Sequence, residues 1–166
     1  MVYVRTLLCV FVLISPLSAH ADRWQDAVDI YSKGDYPQAI TLFEQLAEEG
    51  NAKAQFRLGA IHYEGEVVPK DNFQAARWFE MAAEQGVAHA QIRIAIMYAN
   101  GYGVPQDNVY AYMWYSLAVA LEKPDDPASF ARYFRKELAR KMTSGQVAEA
   151  QKLSLEWLEK FRNQKE

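Results

Sequence analysis

A short turn-forming segment, residues 101–107, constrains the fold of this chain more than any other feature because it occurs twice. The sequence GYGVPQD at residues 101–107 follows GEVVPKD at residues 65–71 with a spacing of 36 residues. Each copy lies between two stretches whose apolar residues recur at helical spacing. A repeat of this length is typical of stacked helical hairpins. The sequence therefore predicts a helical repeat protein.

The same pattern divides the chain into helix pairs. An earlier, shorter hairpin turns at Gly34, with Pro37 tolerated in the first turn of its second helix. Gly59 lacks a Cβ atom and is expected to allow a neighbouring helix to approach closely. After the repeats, Thr143 and Gln146 form a capping-box pattern before a long amphipathic helix. The predicted units are about 24–50, 52–86 and 88–121, followed by a C-terminal helix pair at about 127–163 in a single domain, 22–166.

The second and third units resemble Sel1-like repeats, which belong to the tetratricopeptide-like helical repeat superfamily. The third unit carries the resemblance at Ala90, Ile94, Ala95, Tyr98, Gly101, Val104, Pro105, Asp107, Ala111, Trp114 and Ala118. The first unit is similar to the shorter tetratricopeptide form at Ala27, Gly34, Tyr36, Ala39, Phe43 and Ala47. The resemblance implies an all-α, right-handed α-solenoid of stacked antiparallel helix pairs, closed by a C-terminal capping helix pair.

Two departures from the family pattern lie in the second unit. His62 stands where the pattern has tyrosine, and Val67 stands where the turn has its second glycine. Since valine strongly disfavours backbone conformations that glycine adopts freely, we expect the turn of the second unit to differ from that of the third.

The N-terminal segment, residues 1–21, has the features of a secretory signal peptide. An apolar stretch from Leu7 to Leu17 follows a single positive charge at Arg5 and precedes a small-x-small pattern that ends at Ala21. The apolar stretch is shorter than the roughly 20 residues that a membrane-spanning helix needs. We therefore expect cleavage after Ala21, export to a bacterial periplasm and no stable membrane insertion afterwards.

The expected mature chain has a composition that narrows its chemistry. Residues 22–166 comprise 145 residues without cysteine, with 17 basic and 21 acidic side chains. The chain therefore has no thiol for a disulfide or a metal, and no basic block that indicates nucleic-acid binding. His62 and His89 have no second ligand at metal-binding spacing. The sequence predicts no catalytic, cofactor or metal site.

The aromatic residues suggest where a partner binds. The first helix of each pair lines the concave surface of such solenoids, and the repeat register places six residues toward it: Trp24, Tyr31, Phe56, Tyr63, Ile92 and Ile96. Rigid aromatic side chains in a groove can anchor a peptide or a partner helix. The alternative is that the terminal helix around Trp157 folds back and fills the groove.

Taken together, the sequence predicts an exported adaptor, without a reaction of its own, that binds a protein or peptide in the cell envelope. Two other functions remain open. Cysteine-rich Sel1-like relatives imply a β-lactam-binding hydrolase, although their disulfides have no counterpart in the expected mature chain. A structural subunit that assembles with copies of itself is the other possibility.

Overall fold

A computed structural model describes residues 16–121 and 128–164 of the chain. Every regular element in these two ranges is an α-helix. In chain order the helices are α1 (Pro16–Ser32), α2 (Tyr36–Glu48), α3 (Ala52–Glu64), α4 (Asn72–Glu84), α5 (Ala88–Asn100), α6 (Asn108–Ala120), α7 (Ala128–Ala139) and α8 (Ser144–Asn163).

The helices pack in the order in which they occur along the chain. Each helix from α1 to α6 contacts the next, and α6 also contacts both α7 and α8. Short connections between neighbouring helices favour antiparallel packing. The arrangement confirms the predicted all-α solenoid of stacked helix pairs, with α7 and α8 as the terminal pair.

Glycine ends most of these helices in a left-handed backbone conformation. After α2, the N–H of Gly50 donates to the carbonyl of Ala47 and the N–H of Asn51 donates to that of Leu46. This is the Schellman arrangement, which satisfies carbonyls that have no partner within the helix. The N–H groups of Gly86 and Val87 repeat it after α4. The link between hairpins is therefore the same in successive units.

The two long turns differ as the sequence predicts. Gly65 and Gly101 both have positive φ, 73° and 72°. In the first turn the Asp71 N–H donates to the carbonyl of His62, and in the second the Asp107 N–H donates to that of Tyr98. At the next glycine position, Gly103 has φ 70°, whereas Val67 has a negative φ. The substitution of valine for glycine thus changes the backbone within an otherwise common turn.

Side-chain caps begin five of the described helices, whereas Val87 begins α5 without a side-chain hydrogen bond. Asp71 accepts from the N–H of Gln74, Asp107 accepts from those of Val109 and Tyr110, and Thr143 forms a complete capping box with Gln146. The pattern at Asp71 and Gln74 also suggests a capping box, but only the aspartate half forms. The side-chain oxygen of Gln74 instead accepts a hydrogen bond from Arg77.

The core forms two hydrophobic clusters. The smaller lies among α1, α2 and α3, and the larger extends from α4 to α8. Gly59 allows the ring of Phe79 to lie on α3, since a Cβ at Gly59 would be 2.6 Å from that ring. The close approach predicted at Gly59 is confirmed. Trp114 of α6 meets Trp157 of α8 with ring centroids 6.2 Å apart, so α8 extends the larger cluster.

The predicted signal peptide lies mostly outside the described residues, of which the first is Pro16. Helix α1 begins at Pro16 and continues through Ala21, so the expected cleavage position lies within this helix. In the parts of the chain that the structure describes, no helix has the length and apolar character needed to cross a membrane.

Candidate partner-binding face

The first helices of successive pairs meet through long side chains on one face of the solenoid. We call this the inner face and define it by Tyr31 of α1, Arg57 and Tyr63 of α3, and Arg93 and Ile96 of α5. Arg57 and Arg93 occupy the same repeat position, 36 residues apart. Each guanidinium contacts a tyrosine on the first helix of the preceding pair: Arg57 contacts Tyr31 of α1, and Arg93 contacts Tyr63 of α3. The contact between α1 and α3 is therefore repeated between α3 and α5.

The geometry of these contacts is that of cation–π pairs. The Arg57 Cζ atom lies 4.2 Å from the centroid of the Tyr31 ring, and the Arg93 Cζ atom lies 5.7 Å from that of Tyr63. The Lys70 Nζ atom is also 4.8 Å from the Tyr63 centroid. Such pairs attract through the ring quadrupole. The two tyrosines are half-buried, so part of each ring remains accessible between the cations.

Trp24 and Phe56 lie closer to the core than the two tyrosines. Trp24 is half-buried against Phe43, with ring centroids 5.5 Å apart. Phe56 is half-buried between Phe79, at 5.6 Å, and the exposed His89, at 6.2 Å. Both aromatic side chains therefore stabilise the hairpins as well as contributing surface.

Ile92 requires a correction. The repeat register predicts it on the binding surface, but only 8% of it is exposed, and it belongs to the larger core cluster. A helix of this solenoid buries positions on more than one side, because it contacts its own partner helix and that of the preceding pair. Ile92 thus offers little surface to a partner.

Ile96 lines a groove between α5, α6 and α7, which we call the aromatic groove. Its volume is about 550 Å³. Its aromatic wall consists of Tyr115, Phe130, Tyr133 and Phe134, and Lys141 and Glu137 stand at its polar side. The Phe130 and Phe134 rings lie 4.3 Å apart, and Tyr133 is 59% exposed. The inner face therefore continues from the cations into an apolar recess.

The terminal helix does not occupy this face. Trp157 of α8 packs against Trp114 of α6, and the ring of Phe161 lies where a Cβ at Gly86 would be. Both contacts are on α6 and on the turn before α5, away from Tyr31, Tyr63 and the aromatic groove. The alternative in which the helix around Trp157 fills the groove is therefore wrong.

Glu80 and Tyr98 form a hydrogen-bonded pair in which both pKa values are raised. Burial raises the pKa of Glu80 above its ordinary value of 4.5, and the charge of Glu84 adds to the rise, although the hydrogen bond from the Tyr98 hydroxyl, at 3.1 Å, opposes it. Burial, followed by the charge of Glu80, also raises the pKa of Tyr98. The hydrogen bond between Tyr98 and Glu80 links α5 to α4.

The histidines provide no candidate metal centre. His62 is half-buried and His89 is exposed. The Nδ1 atom of His62 is buried without a hydrogen-bond partner among the described residues. Within those residues, no three His, Cys, Asp or Glu side chains are grouped so that they could hold a metal ion.

Sequence reasoning identifies the tyrosines of the inner face but not its cations. Arg57 and Arg93 carry a signal in their common repeat position, yet the position alone does not show that each side chain reaches back over a ring. The aromatic groove is also missed as a surface, although the spacing of Phe130, Phe134 and Leu138 indicates one apolar side of α7.

Comparison with known proteins places the repeats in one family. The family model described as Sel1 repeat matches residues 29–51, 52–87 and 88–122, which are consecutive segments from α1 to α6. No curated protein gives a match.

Several solved structures are similar, and two of them show the extent of the match. One is a protective antigen present in uropathogenic Escherichia coli strains and displaying an SLR fold, with a TM-score of 0.75, 30% identity and coverage of 86% of this chain. The other is a Sel1 repeat protein from Oxalobacter formigenes, with a TM-score of 0.56, 36% identity and coverage of 61% of this chain. The matches span only 30% and 28% of those chains.

The repeat model thus covers more than half of the sequence, and the helix pairs it covers stack as those of similar structures do. The chain belongs to the Sel1-repeat family.

Proposed function

We propose that this protein is an exported adaptor that binds a partner protein or peptide on its inner face, within the cell envelope, and catalyses no reaction of its own. Sel1-repeat proteins are commonly protein–protein interaction scaffolds and are typically non-catalytic. The stacked helix pairs of a solenoid create an extended surface suited to binding.

The observation that carries this proposal is the continuity of the inner face. Tyr31 and Tyr63 are half-buried at corresponding places in successive hairpins, and Ile96 continues the row into the aromatic groove. Phe130 and Tyr133, at 42% and 59% exposure, add apolar surface in the same recess. Aromatic anchors in a concave surface are the residues that most often dominate binding energy.

The binding test uses the two half-buried tyrosines of the inner face, which pack against the outside of the core clusters. Affinity capture from the native envelope, followed by mass spectrometry, is performed with the intact protein and with Tyr31→Ala/Tyr63→Ala. Tyr102→Ala/Tyr110→Ala is the matched control, since both of these tyrosines are 43% exposed and neither belongs to the inner face. We expect loss of the same partner only with the first variant, at unchanged helicity. Equal capture by both variants would contradict binding at this face.

Export has a separate test. The features of residues 1–21 support cleavage after Ala21. The protein recovered from a periplasmic fraction is expected to begin at Asp22, as measured by intact mass and N-terminal sequencing. Retention of Met1 in a cytoplasmic fraction would contradict export. A nitrocefin assay on the same purified protein is expected to show no turnover.

A further inference from the structure

The second helices α2 and α4 differ in charge from the first helices α3 and α5, whereas the first helix α1 carries Asp26 and Asp29 as well as Arg23. The second helices α2 and α4 carry four carboxylates, Glu44, Glu48, Glu80 and Glu84, against the single cation Arg77. The first helices α3 and α5 carry the cations Lys53, Arg57 and Arg93 against the single carboxylate Glu64. The formal net charge of the whole chain is −3. The excess of cations on α3 and α5 therefore cannot be attributed to a generally basic protein.

In the described part of the chain, the two arginines of the inner face and the adjacent Lys70 have no carboxylate partner. In the described residues, Arg57, Lys70 and Arg93 form no ion pair, whereas Arg23 pairs with Glu49 at 2.8 Å and Lys152 with Glu156 at 3.7 Å. Their contacts are instead with the faces of Tyr31 and Tyr63. The N–H donors of a guanidinium that contacts a ring can still bind a carboxylate in a bidentate manner.

The aromatic groove is adjacent to these cations. Ile96, which lines the groove, lies three residues after Arg93 on α5 and is therefore its neighbour on the helix surface. A ligand that reaches Arg93 has apolar surface within about one helical turn. The exposed Phe130 and Tyr133 form the open side of this recess.

From this charge complementarity we propose that the partner segment is an acidic peptide, with carboxylates that bind Arg57 and Arg93 and an apolar side chain that enters the aromatic groove. This inference rests on the proposed binding function and specifies the chemistry of its partner. Carboxylates on the ligand supply the charges that α3 and α5 lack. The cation–π contacts with Tyr31 and Tyr63 restrain the two guanidinium groups before binding, which reduces the entropy lost on association.

Fluorescence anisotropy with defined probes tests the proposal. One labelled peptide contains a central phenylalanine flanked by glutamates, and the second replaces every glutamate with lysine. The protein is used whole, as the intact chain and as Arg57→Gln/Arg93→Gln. The matched control, Arg77→Gln/Lys152→Gln, removes the same charge from α4 and α8. Far-UV circular dichroism and a melting curve establish that both variants remain folded.

We expect the intact protein and the control to bind the acidic peptide, with little binding of the lysine peptide. Each arginine contributes about two- to fivefold in affinity, so the arginine double variant is expected to lose roughly tenfold. Binding should also weaken as salt is raised, because these charges are accessible to solvent. When alanine replaces the phenylalanine of the acidic peptide, the affinity should fall by the same factor for the intact protein, the arginine double variant and the control variant.

Three outcomes would overturn the acidic-peptide proposal: equal binding of the two peptides, equal loss in both double variants, or no binding of the acidic peptide. Tighter binding of a labelled single-stranded DNA would assign the cations to a different class of ligand and would likewise overturn it. The adaptor function can fail separately. If partner capture is lost with Tyr31→Ala/Tyr63→Ala but unchanged with Arg57→Gln/Arg93→Gln, the binding face stands and the acidic partner does not.

Discussion

At the scale of single residues, Gly103 satisfies two requirements at once. Its φ is +70°, and a Cβ at this position would lie 2.0 Å from the carbonyl oxygen of Asn72 on α4. A non-glycine residue would therefore meet both an unfavourable backbone conformation and a backbone atom that has little freedom to move. The turn of the third hairpin can approach the second hairpin only because this side chain is absent.

Gly103→Ala is accordingly expected to lower the free energy of unfolding by about 3 kcal/mol, from the left-handed conformation and the steric overlap together. The control is Gly34→Ala, since Gly34 has φ +88° but nothing within 4 Å of the added Cβ. Gly34→Ala should lower the free energy of unfolding by only about 1 kcal/mol. Urea unfolding followed by circular dichroism measures both values. Equal losses would show that the contact with Asn72 does not matter.

Glu80 gives a prediction about pH. Because its folded-state pKa is raised, mainly by burial, the folded protein holds this proton to higher pH than the unfolded chain does. The stability that this group contributes is complete below the ordinary pKa of 4.5 and is lost as the pH rises through the folded-state value. Glu80→Gln removes the titration and leaves an oxygen that can accept from the Tyr98 hydroxyl.

We therefore expect the free energy of unfolding of Glu80→Gln to decrease less than that of the intact protein as the pH rises above about 4.5. Glu44→Gln is the control, because Glu44 is the exposed equivalent 36 residues earlier and His62, not tyrosine, stands at the position that corresponds to Tyr98. Chemical unfolding across this pH range provides the measurement. Parallel curves for the intact protein and Glu80→Gln would rule out a destabilising Glu80 charge.

At the scale of helices, two buried glutamines join successive hairpins. The Nε2 atom of Gln55 on α3 donates to the carbonyl of Ala47 on α2, at 3.0 Å, and Gln91 on α5 donates to that of Ala83 on α4, at 3.1 Å. Each of these carbonyls also accepts from the N–H of the glycine that follows its helix, so the glutamine adds a second hydrogen bond to it. A common side chain thus fixes the contact between one pair and the next.

The two glutamines differ in their second hydrogen bond. The Oε1 atom of Gln55 accepts from Gln85 at 2.7 Å, whereas that of Gln91 is buried without a partner in the described residues. The residue 36 positions after Gln85 is Leu121, whose side chain has no hydrogen-bond donor. The exposed turn between hairpins can therefore change while the buried glutamine stays the same.

Replacement by the similarly shaped methionine should reveal this difference. Gln55→Met loses two hydrogen bonds, whereas Gln91→Met loses one and removes a buried acceptor that has no partner. We expect Gln55→Met to be more destabilising than Gln91→Met by about 1 kcal/mol. Parallel urea titrations measure the two losses. A greater loss in Gln91→Met would indicate that its Oε1 atom is bound to water that contributes to stability.

The sequence predicts the helix pairs well because their signals are local and repeat. Gly65 and Gly101 identify the turns, and Asp71 and Asp107 identify the helix starts, since each acts on its own few residues. The burial of Ile92 and the contact of Arg57 with the Tyr31 ring depend on the positions of neighbouring helices. No local sequence pattern specifies the distance or rotation of those helices. Gln74 shows the same limit over a shorter range, because its side chain had two possible partners and bonds to Arg77.

At the scale of the whole molecule, the hydrophobic core is smaller in the first three helices than in the helices from α4 to α8. The cluster of α1, α2 and α3 is built around Phe43, Leu46 and Leu58, whereas the cluster from α4 to α8 adds the buried aromatic residues of α6 and the support of the terminal pair. In a solenoid each hairpin contacts only its neighbours, so stability is approximately a sum of local terms. The first hairpin has a neighbour on one side only within the described residues, whereas α6 packs against α5, α7 and α8.

Native-state amide hydrogen exchange should therefore show that α1 and α2 open at a lower free energy than α6, by at least about 1 kcal/mol. Phe43→Ala is expected to raise exchange in α1 and α2 while leaving that of α6 nearly unchanged. Leu117→Ala, in α6, should instead raise exchange throughout α5 to α8. Uniform opening free energies, or an equal response of α6 to both substitutions, would mean that the two clusters unfold as one cooperative unit. Separate opening would place Tyr31 and Arg57 in the part of the inner face that orders least before a partner binds, and would make the affinity of that face depend on the stability of the first hairpin.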